Sequence, residues 1–172
     1  IDYFHPKFLL GLTATPERLD NQDVFALCDY NVVYEVRLKE AINKGWLVPF
    51  RYYGIYDDLD YDHVDFRNGQ YDSEQLGQLA SVNKRGNLIF KHYAKYGSRR
   101  ALGFCINRRH ALYMTNYFRA QGIACCAVIS GAVNEEHREL IRDRESAISD
   151  LKAGKLQVIF SVDMFNEGLD IP

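Results

Sequence analysis

Short apolar runs alternate with amphipathic stretches over the second half of this 172-residue chain. The runs Ala101 to Cys105, Ile123 to Ile129 and Leu156 to Phe160 are nearly continuous, which is typical of strands buried on both faces. The stretches between them carry apolar residues at helical spacing. Strands that alternate with helices of this length predict an α/β fold with a parallel sheet and right-handed crossovers.

The helices of this half have recognisable ends. One is predicted from Asn87 to Tyr96, and a second begins after an Asn107 cap, runs to Arg119 and ends near Gly122. A third is predicted to begin after an Asn134 cap and to end at Gly154.

The first half is less regular. Apolar runs at 8–12, 32–36 and 50–56 predict strands, and residues 38–44 predict a short helix. The acidic, irregular residues 57–75 indicate a surface loop. We therefore divide the chain into residues 1–48, a connecting strand and acidic loop at 49–82, and residues 83–172.

Composition is that of a folded protein, with 47% hydrophobic and 13% aromatic residues. The net charge of −2 is unevenly spread, with −7 in residues 1–83 and +5 in residues 84–172. This asymmetry is compatible with a second half that faces nucleic acid, and equally with an uneven solvated surface.

The four cysteines form no C-x-x-C pair, and Cys105, Cys125 and Cys126 lie in apolar runs. This pattern favours buried free thiols in a reducing cytosol over a zinc site or a disulfide framework. The chain has neither a signal-peptide pattern nor an apolar stretch of 18 residues, so we expect a soluble cytoplasmic protein.

Two segments carry specific chemistry. The run from Leu10 to Arg18, Leu-Gly-Leu-Thr-Ala-Thr-Pro-Glu-Arg, resembles motif III of superfamily 2 DEAD/DEAH-like helicases. The run from Leu156 to Pro172, which ends in Glu-Gly-Leu-Asp-Ile-Pro, resembles their motif V. The two matches occur in the family's order along the chain.

The motif III resemblance implies that Thr13, Ala14 and Thr15 couple the state of ATP to the nucleic-acid site. The alternative is an ordinary turn at the end of the apolar run, in which the threonine hydroxyls bond their own backbone.

Asn107, Arg108 and Arg109 stand where a strand meets a helix, and unpaired N–H groups at that point favour phosphate. The segment looks like motif IV, which implies contact with the nucleic-acid backbone; an arginine pair on a solvated first turn is the alternative. Ser130 and Gly131 are similar to another backbone-contacting loop of the family, although Gly131 could equally be a turn glycine.

The motif V resemblance implies that Glu167, Gly168 and Asp170 contribute to the nucleotide site, with Asp170 bonding the ATP ribose; an Asx turn is the alternative for Asp170. It also places Ser161, Val162 and Asp163 at the nucleic acid. Two positions depart from the DEAD-box pattern. Glu167 replaces an arginine, as in the branch with restriction-subunit and excision-repair helicases, and Val162 replaces a threonine, which Ser161 precedes by one residue.

The resemblance implies a RecA-like sheet: residues 1–48 as the tail of a first motor lobe, and residues 83–172 as a second lobe truncated before motif VI. The chain contains no G-x-x-x-x-G-K-[ST] sequence and no acidic D-E-x-x box. We therefore expect the complete protein to be an ATP- and Mg²⁺-dependent helicase or translocase, most simply on DNA, and this chain alone to be inactive.

Two other functions stay open. A non-enzymatic module with this fold could bind nucleic acid or protein without ATP. A different Rossmann-like enzyme, such as a nucleotide-sugar transferase, needs a glycine-rich fingerprint after the first strand, which the chain lacks. As partners we expect DNA, with RNA as the alternative, the remainder of the motor, and a second copy of this chain through the exposed edge of the 8–12 strand. No metal site within the chain is expected.

Overall fold

The computed structural model describes residues 7–14, 16, 23–96, 100–132 and 135–165. Contacts divide the chain into two compact units, residues 1–54 and residues 55–172. Within the described ranges, no helix combines the length and the apolar character needed to cross a membrane.

The first unit contains little regular structure. A 3₁₀ turn at Phe25–Cys28 is followed by helix α1, Leu38–Asn43, which confirms the predicted short helix. Gly45 lies just beyond α1 with φ +71°, a conformation that glycine adopts without strain.

The three strands predicted in the first part of the chain are wrong. Described residues 8–12, 32–36 and 50–56 form no strand, and most of their side chains are exposed, with Phe8 79%, Val33 83% and Tyr52 85% exposed. An apolar run shows that a segment suits a sheet, but a strand also needs a hydrogen-bonded neighbour. Within the described residues of this unit, none of these runs has one.

The second unit begins with structure that the sequence did not predict. Residues 57–75 contain a small hairpin of β1, Phe66–Arg67, and β2, Gln70–Tyr71, and the start of helix α2, Ser73–Ala80. The Asp72 carboxylate accepts hydrogen bonds from the backbone N–H groups of Glu74 and Gln75, so it caps α2. The predicted loop is therefore wrong over this part.

The regular part of the unit follows the predicted order. Helix α3 covers Asn83–Tyr96, four residues longer at its start than predicted, and strand β3 covers Ala101–Phe104. Helix α4, Arg108–Ala120, begins after Asn107 as expected, and strand β4, Cys125–Val128, follows it.

The helix predicted between Asn134 and Gly154 is two elements. A 3₁₀ segment covers Glu135–Leu140, and helix α5 covers Arg144–Lys152, before strand β5 at Val158–Ser161. The Asp143 carboxylate accepts a hydrogen bond from the Ser146 N–H at 2.9 Å and is the N-cap of α5. The interruption arises because Ile141 bridges to Ala127 and the Arg142 N–H bonds the Ala127 carbonyl. Asn134 itself lies outside the described residues.

The sheet of the second unit has three parallel strands in the order β3-β5-β4, with helices packed on it. This confirms the predicted α/β class and agrees with part of a RecA-like fold. The central strand β5 aligns Ser161 with Phe104 on one side and with Val128 on the other. All three carboxyl ends therefore meet at one edge of the sheet.

Alternate residues of the strands face two separate cores. On one face, Cys125, Ala127, Val158 and Phe160 pack with Phe118 of α4 and its neighbours. On the other, Cys126, Val128 and Ile159 pack with Ala147 and Leu151 of α5. Because both faces are covered, the strands are almost wholly apolar, as their sequences indicated.

All four cysteines are free thiols. Cys125 and Cys126 are buried and Cys28 and Cys105 half-buried, so the expected burial holds for two of them. Burial raises the pKa of Cys105 to about 12 and that of Cys126 to about 11. Among the described residues, no group of three or more His, Cys, Asp or Glu side chains is placed to hold a metal ion.

Candidate functional site

Three loops meet at the carboxyl edge of the parallel sheet. They follow β3, β4 and β5 and contain residues 105–107, 129–132 and 162–165. Ligands of open α/β sheets bind at this edge. Eight of the predicted site residues lie in these loops or directly beside them: Asn107, Arg108, Arg109, Ser130, Gly131, Ser161, Val162 and Asp163.

Asn107 joins two helices. Its side-chain oxygen accepts a hydrogen bond from the His110 N–H at 2.9 Å, which caps α4, and its amide donates to the Ser73 carbonyl of α2 at 2.7 Å. A Cβ atom on Gly77 would stand 2.2 Å from the Asn107 amide nitrogen, so glycine permits this approach. Asn107 is buried, and its amide oxygen and nitrogen are already used inside the protein.

Arg108 ties the loop after β3 to the loop after β4. Its guanidinium donates to the backbone carbonyl of Ser130 and, at 2.5 Å, to that of Ala132. Gly131 between them has φ +86°, and a Cβ there would lie 2.8 Å from the Arg108 Nη1 atom. The structure thus brings Arg108, Ser130 and Gly131 together, and it gives Gly131 a turn role.

Arg109 is the exposed member of the arginine pair. It borders an open groove of about 370 Å³ beside the first turns of α4. The groove is lined by Arg108, Arg109, Leu112, Tyr113, Asn116, His137 and Ile141. Guanidinium and amide donors beside apolar side chains suit a phosphate chain with attached sugars.

The end of β5 alternates between buried and accessible positions. Ser161 is 0% exposed, and its hydroxyl has no hydrogen-bond partner among the described residues. Val162 is half-buried and Asp163 is exposed. Asp163 has φ +53°, a left-handed conformation that is uncommon for a residue other than glycine and turns the chain sharply after the strand.

His110 lies beneath the loop after β3. Its Nδ1 accepts a hydrogen bond from the Ile106 N–H at 3.3 Å, so the neutral ring carries its proton on Nε2, which is buried without a partner among the described residues. Burial, and secondarily the nearby Arg85 charge, lower the pKa of His110 to about 4. His110 is 5% exposed and therefore packs inside the protein.

The remaining predicted residues lie elsewhere. Thr13 and Ala14 belong to the first unit, where both are exposed. Thr15, Glu167, Gly168 and Asp170 lie outside the described residues, so the predicted coupling and nucleotide-binding roles stay predictions.

Several known proteins are similar to this chain over nearly its whole length. No protein-family model matches the chain. A Schizosaccharomyces pombe protein named as a candidate mitochondrial ATP-dependent helicase, irc3, is 31% identical over 166 residues, which is 95% of this chain and 26% of that protein. A Saccharomyces cerevisiae protein named as a candidate ATP-dependent helicase, IRC3, is 23% identical over 168 residues. Both similarities extend over 95% of this chain, which supports assigning it to the helicases.

The match supports the superfamily 2 assignment made from the motifs. A third relative, the 51.5 kDa protein of Lactococcus phage (isolate 7-9), is 22% identical over 163 residues. The chain spans only about a quarter to a third of these relatives, with 26%, 34% and 23% of their lengths covered. The described loops contain the segments that the sequence analysis compared with motif IV, with the strand-Gly turn and with the first part of motif V, and those comparisons stay predictions.

Sequence reasoning missed several residues of this candidate site. Gly77 and Ser73 lie in a segment predicted as a loop, yet they hold Asn107 in place. His137 was predicted on a helix, and only the packing of the 3₁₀ segment beside α4 brings it to the groove. The one available signal was Asp72 followed by Ser-Glu-Gln, a helix-start pattern inside the acidic stretch.

Replacing Ser161 with alanine is expected to leave the free energy of unfolding the same within about 0.5 kcal/mol, and any change should be a small increase. The reason is that a buried hydroxyl without a partner gains nothing from burial. Ser81→Ala is the matched control, because the Ser81 hydroxyl donates to the Gly77 carbonyl at 2.6 Å and its loss should cost about 1 kcal/mol. Urea unfolding of both variants measures this. A loss above 1 kcal/mol for Ser161→Ala would mean that its hydroxyl has a partner.

Proposed function

We propose that this chain is part of an ATP-dependent nucleic-acid helicase or translocase that acts on DNA. The observation that carries the proposal is the meeting of three loops at the carboxyl edge of a parallel sheet, with Arg109 and a polar groove beside them. The named relatives support it, since two of them carry helicase names.

In this proposal the phosphate backbone lies along the groove beside α4. Arg109 provides a charge-assisted contact, and the N-terminal N–H groups of α4 favour phosphate nearby. Arg108 contributes indirectly, because its bonds to the Ser130 and Ala132 carbonyls fix the two loops relative to each other. Such backbone contacts position a strand without selecting its sequence.

The complete protein would bind ATP with Mg²⁺, and this chain would supply only part of that site. Glu167, Gly168 and Asp170 are the proposed nucleotide contacts, and Thr13 and Thr15 the proposed relay. Hydrolysis also needs a phosphate cradle and a held metal ion. Because the chain contains no P-loop sequence, we propose that it does not hydrolyse ATP by itself.

The proposed partners are DNA, the remaining parts of the motor, and a second copy of this chain. The last proposal now rests on exposed apolar side chains at 8–12 rather than on a strand edge. We propose a cytoplasmic location, although one relative carries a mitochondrial name.

Nucleic-acid binding and ATP hydrolysis by the purified chain test the proposal. Fluorescence anisotropy with a labelled single-stranded DNA should show affinity that falls with salt, and RNA of the same sequence gives the comparison. Arg109→Gln should weaken binding several-fold and reduce the salt slope by about 0.7. Phosphate release should not rise when DNA, ATP and Mg²⁺ are added.

Lys152→Gln is the matched control, since it removes one positive charge at the exposed C-terminal end of α5. If Arg109→Gln and Lys152→Gln weaken binding equally, the groove is not the site. DNA-stimulated hydrolysis by the chain at a rate typical of helicases would contradict the proposed division of the ATP site.

A further inference from the structure

An acidic segment lies across a basic face of helix α3. The segment consists of residues 56–61, here called the strap, and it starts two residues after the division between the two units. The Asp57 carboxylate lies 2.8 Å from Arg85 of α3, and Asp58 pairs with Lys84. Two carboxylates of the acidic half of the sequence therefore neutralise two cations of the basic half.

Tyr61 closes the contact. Its hydroxyl donates to the Asp57 carboxylate, with both oxygens at 3.1 Å, and accepts a hydrogen bond from the Arg85 Nη1 atom at 2.9 Å. The Asp57 and Arg85 side chains are 20% and 23% exposed, whereas those of Asp58 and Lys84 are more than half exposed. The strap is thus attached by one half-buried polar cluster and one solvated ion pair.

The strap is not closely packed on the helix. Beside these ion pairs lies a cleft of about 380 Å³, which is lined by residues 56–59 and by the helix residues Lys84, Arg85, Asn87, Leu88 and Lys91. The closest contacts between the strap and the helix are therefore the polar ones, and salt screens the solvated Asp58–Lys84 pair most strongly. Such a segment can be released without unfolding the sheet beneath it.

The helix face under the strap has the composition of a phosphate-binding surface. Lys84, Arg85 and Lys91 supply three cations, and Asn87 supplies an amide on the same helix. The strap carboxylates occupy two of these cations as phosphates would. Tyr113, which lines the groove beside α4, donates a hydrogen bond to the side-chain oxygen of Asn83 of α3 at 3.1 Å, so the face adjoins the proposed site.

We propose that the strap masks a second nucleic-acid surface, and that its release lets Lys84, Arg85 and Lys91 bind the phosphate backbone. The proposal rests on the proposed function, because it takes nucleic acid as the partner. Two states follow: a docked strap that limits binding to the groove beside α4, and a released strap that extends the contact along α3.

The test compares two double variants with the same charge change. Asp57→Asn with Asp58→Asn frees the cations. Asp60→Asn with Asp62→Asn removes two carboxylates of the same acidic stretch. The Asp60 carboxylate accepts from the Asp62 N–H and lies 3.5 Å from His63, and neither partner belongs to α3. For a single-stranded oligonucleotide, the first pair should steepen the salt slope by roughly 1.4 for two added contacts. Its affinity should therefore fall about sevenfold more than that of the wild type between 50 and 200 mM salt.

Adding Lys84→Gln and Lys91→Gln to the first pair should remove the gain. If both double variants behave alike while Arg109→Gln still weakens binding, the strap proposal fails and the proposed function stands. If no variant and not even the wild-type chain binds the oligonucleotide, both fail.

A footprint on the wild-type chain covers the case in which the variants do not fold. Acylation of lysines, read by mass spectrometry, should increase at Lys84 when salt rises from low to moderate concentration, relative to Lys152. A saturating oligonucleotide should then protect Lys84 and Lys91 but not Lys152. Equal labelling of Lys84 and Lys91 with and without the oligonucleotide would overturn the proposal.

Discussion

Replacing Phe118 with alanine is expected to lower the free energy of unfolding of the second unit by about 3–5 kcal/mol. Phe118 is 1% exposed and lies at the centre of one core. Its ring centroid is 5.0 Å from that of Phe160 and 5.3 Å from those of Phe90 and Tyr93. The substitution removes three aromatic contacts and leaves a cavity between α3, α4 and the sheet.

Because small domains are stabilised by only about 5–15 kcal/mol, this loss should remove a large share of the stability and lower the unfolding midpoints in heat and in urea. Thermal and urea unfolding followed by circular dichroism measure it. Phe104→Ala is the matched control, since Phe104 ends β3 but is 59% exposed. It should change stability by about 0.5 kcal/mol or less. Similar losses for the two variants would show that Phe118 stabilises this unit no more than the exposed Phe104 does.

The second unit is expected to lose about 2.5 kcal/mol of stability through His110 when the pH falls from 7.5 to 4.5. The pKa of His110 is about 4 in the folded chain, against an ordinary 6.5. Between these values the unfolded chain binds more protons than the folded one, so acid favours unfolding. The contribution is therefore complete above pH 6.5 and is lost as the pH falls toward 4.

His110→Gln provides the comparison, because glutamine does not titrate and its oxygen is able to accept from the Ile106 N–H. Carboxylates titrate in both proteins, so the difference between their two pH profiles isolates His110. Unfolding free energies from urea titrations at several pH values between 4.5 and 7.5 give those profiles. Parallel profiles would show that His110 is protonated as easily in the folded chain as in the unfolded one.

The sheet of the second unit could be predicted because its signal is local. The runs at 101–105, 123–129 and 156–160 are apolar on both faces, and helical spacing fills the intervals, so class and order follow from periodicity alone. The predicted strands at 8–12, 32–36 and 50–56 failed because pairing is not local. Their apolar residues suit a sheet, but within the described residues of that unit no segment pairs with them.

The candidate site was predictable as a set of loops but not as a set of contacts. Asn107 was predicted as a nucleic-acid contact, yet its amide is used to cap α4 and to hold α2. Arg108 and Arg109 are neighbours in sequence. Nevertheless, one bonds two backbone carbonyls of another loop, and the other is exposed at a groove. Helix geometry separates their directions, and only the position of the β4 loop decides which of them is used internally.

The sequence by itself determined the parallel α/β class, the N-cap at Asn107, the succession of the three strands along the chain, and the helicase resemblance. Each of these depends on residues close together along the chain, where capping and periodicity act directly. Only the tertiary structure decided that Phe118 closes a core, that His110 is buried in its neutral form and that residues 56–61 lie on α3. These depend on groups brought together from distant positions, and their energies come from burial and charge pairing that no local pattern records.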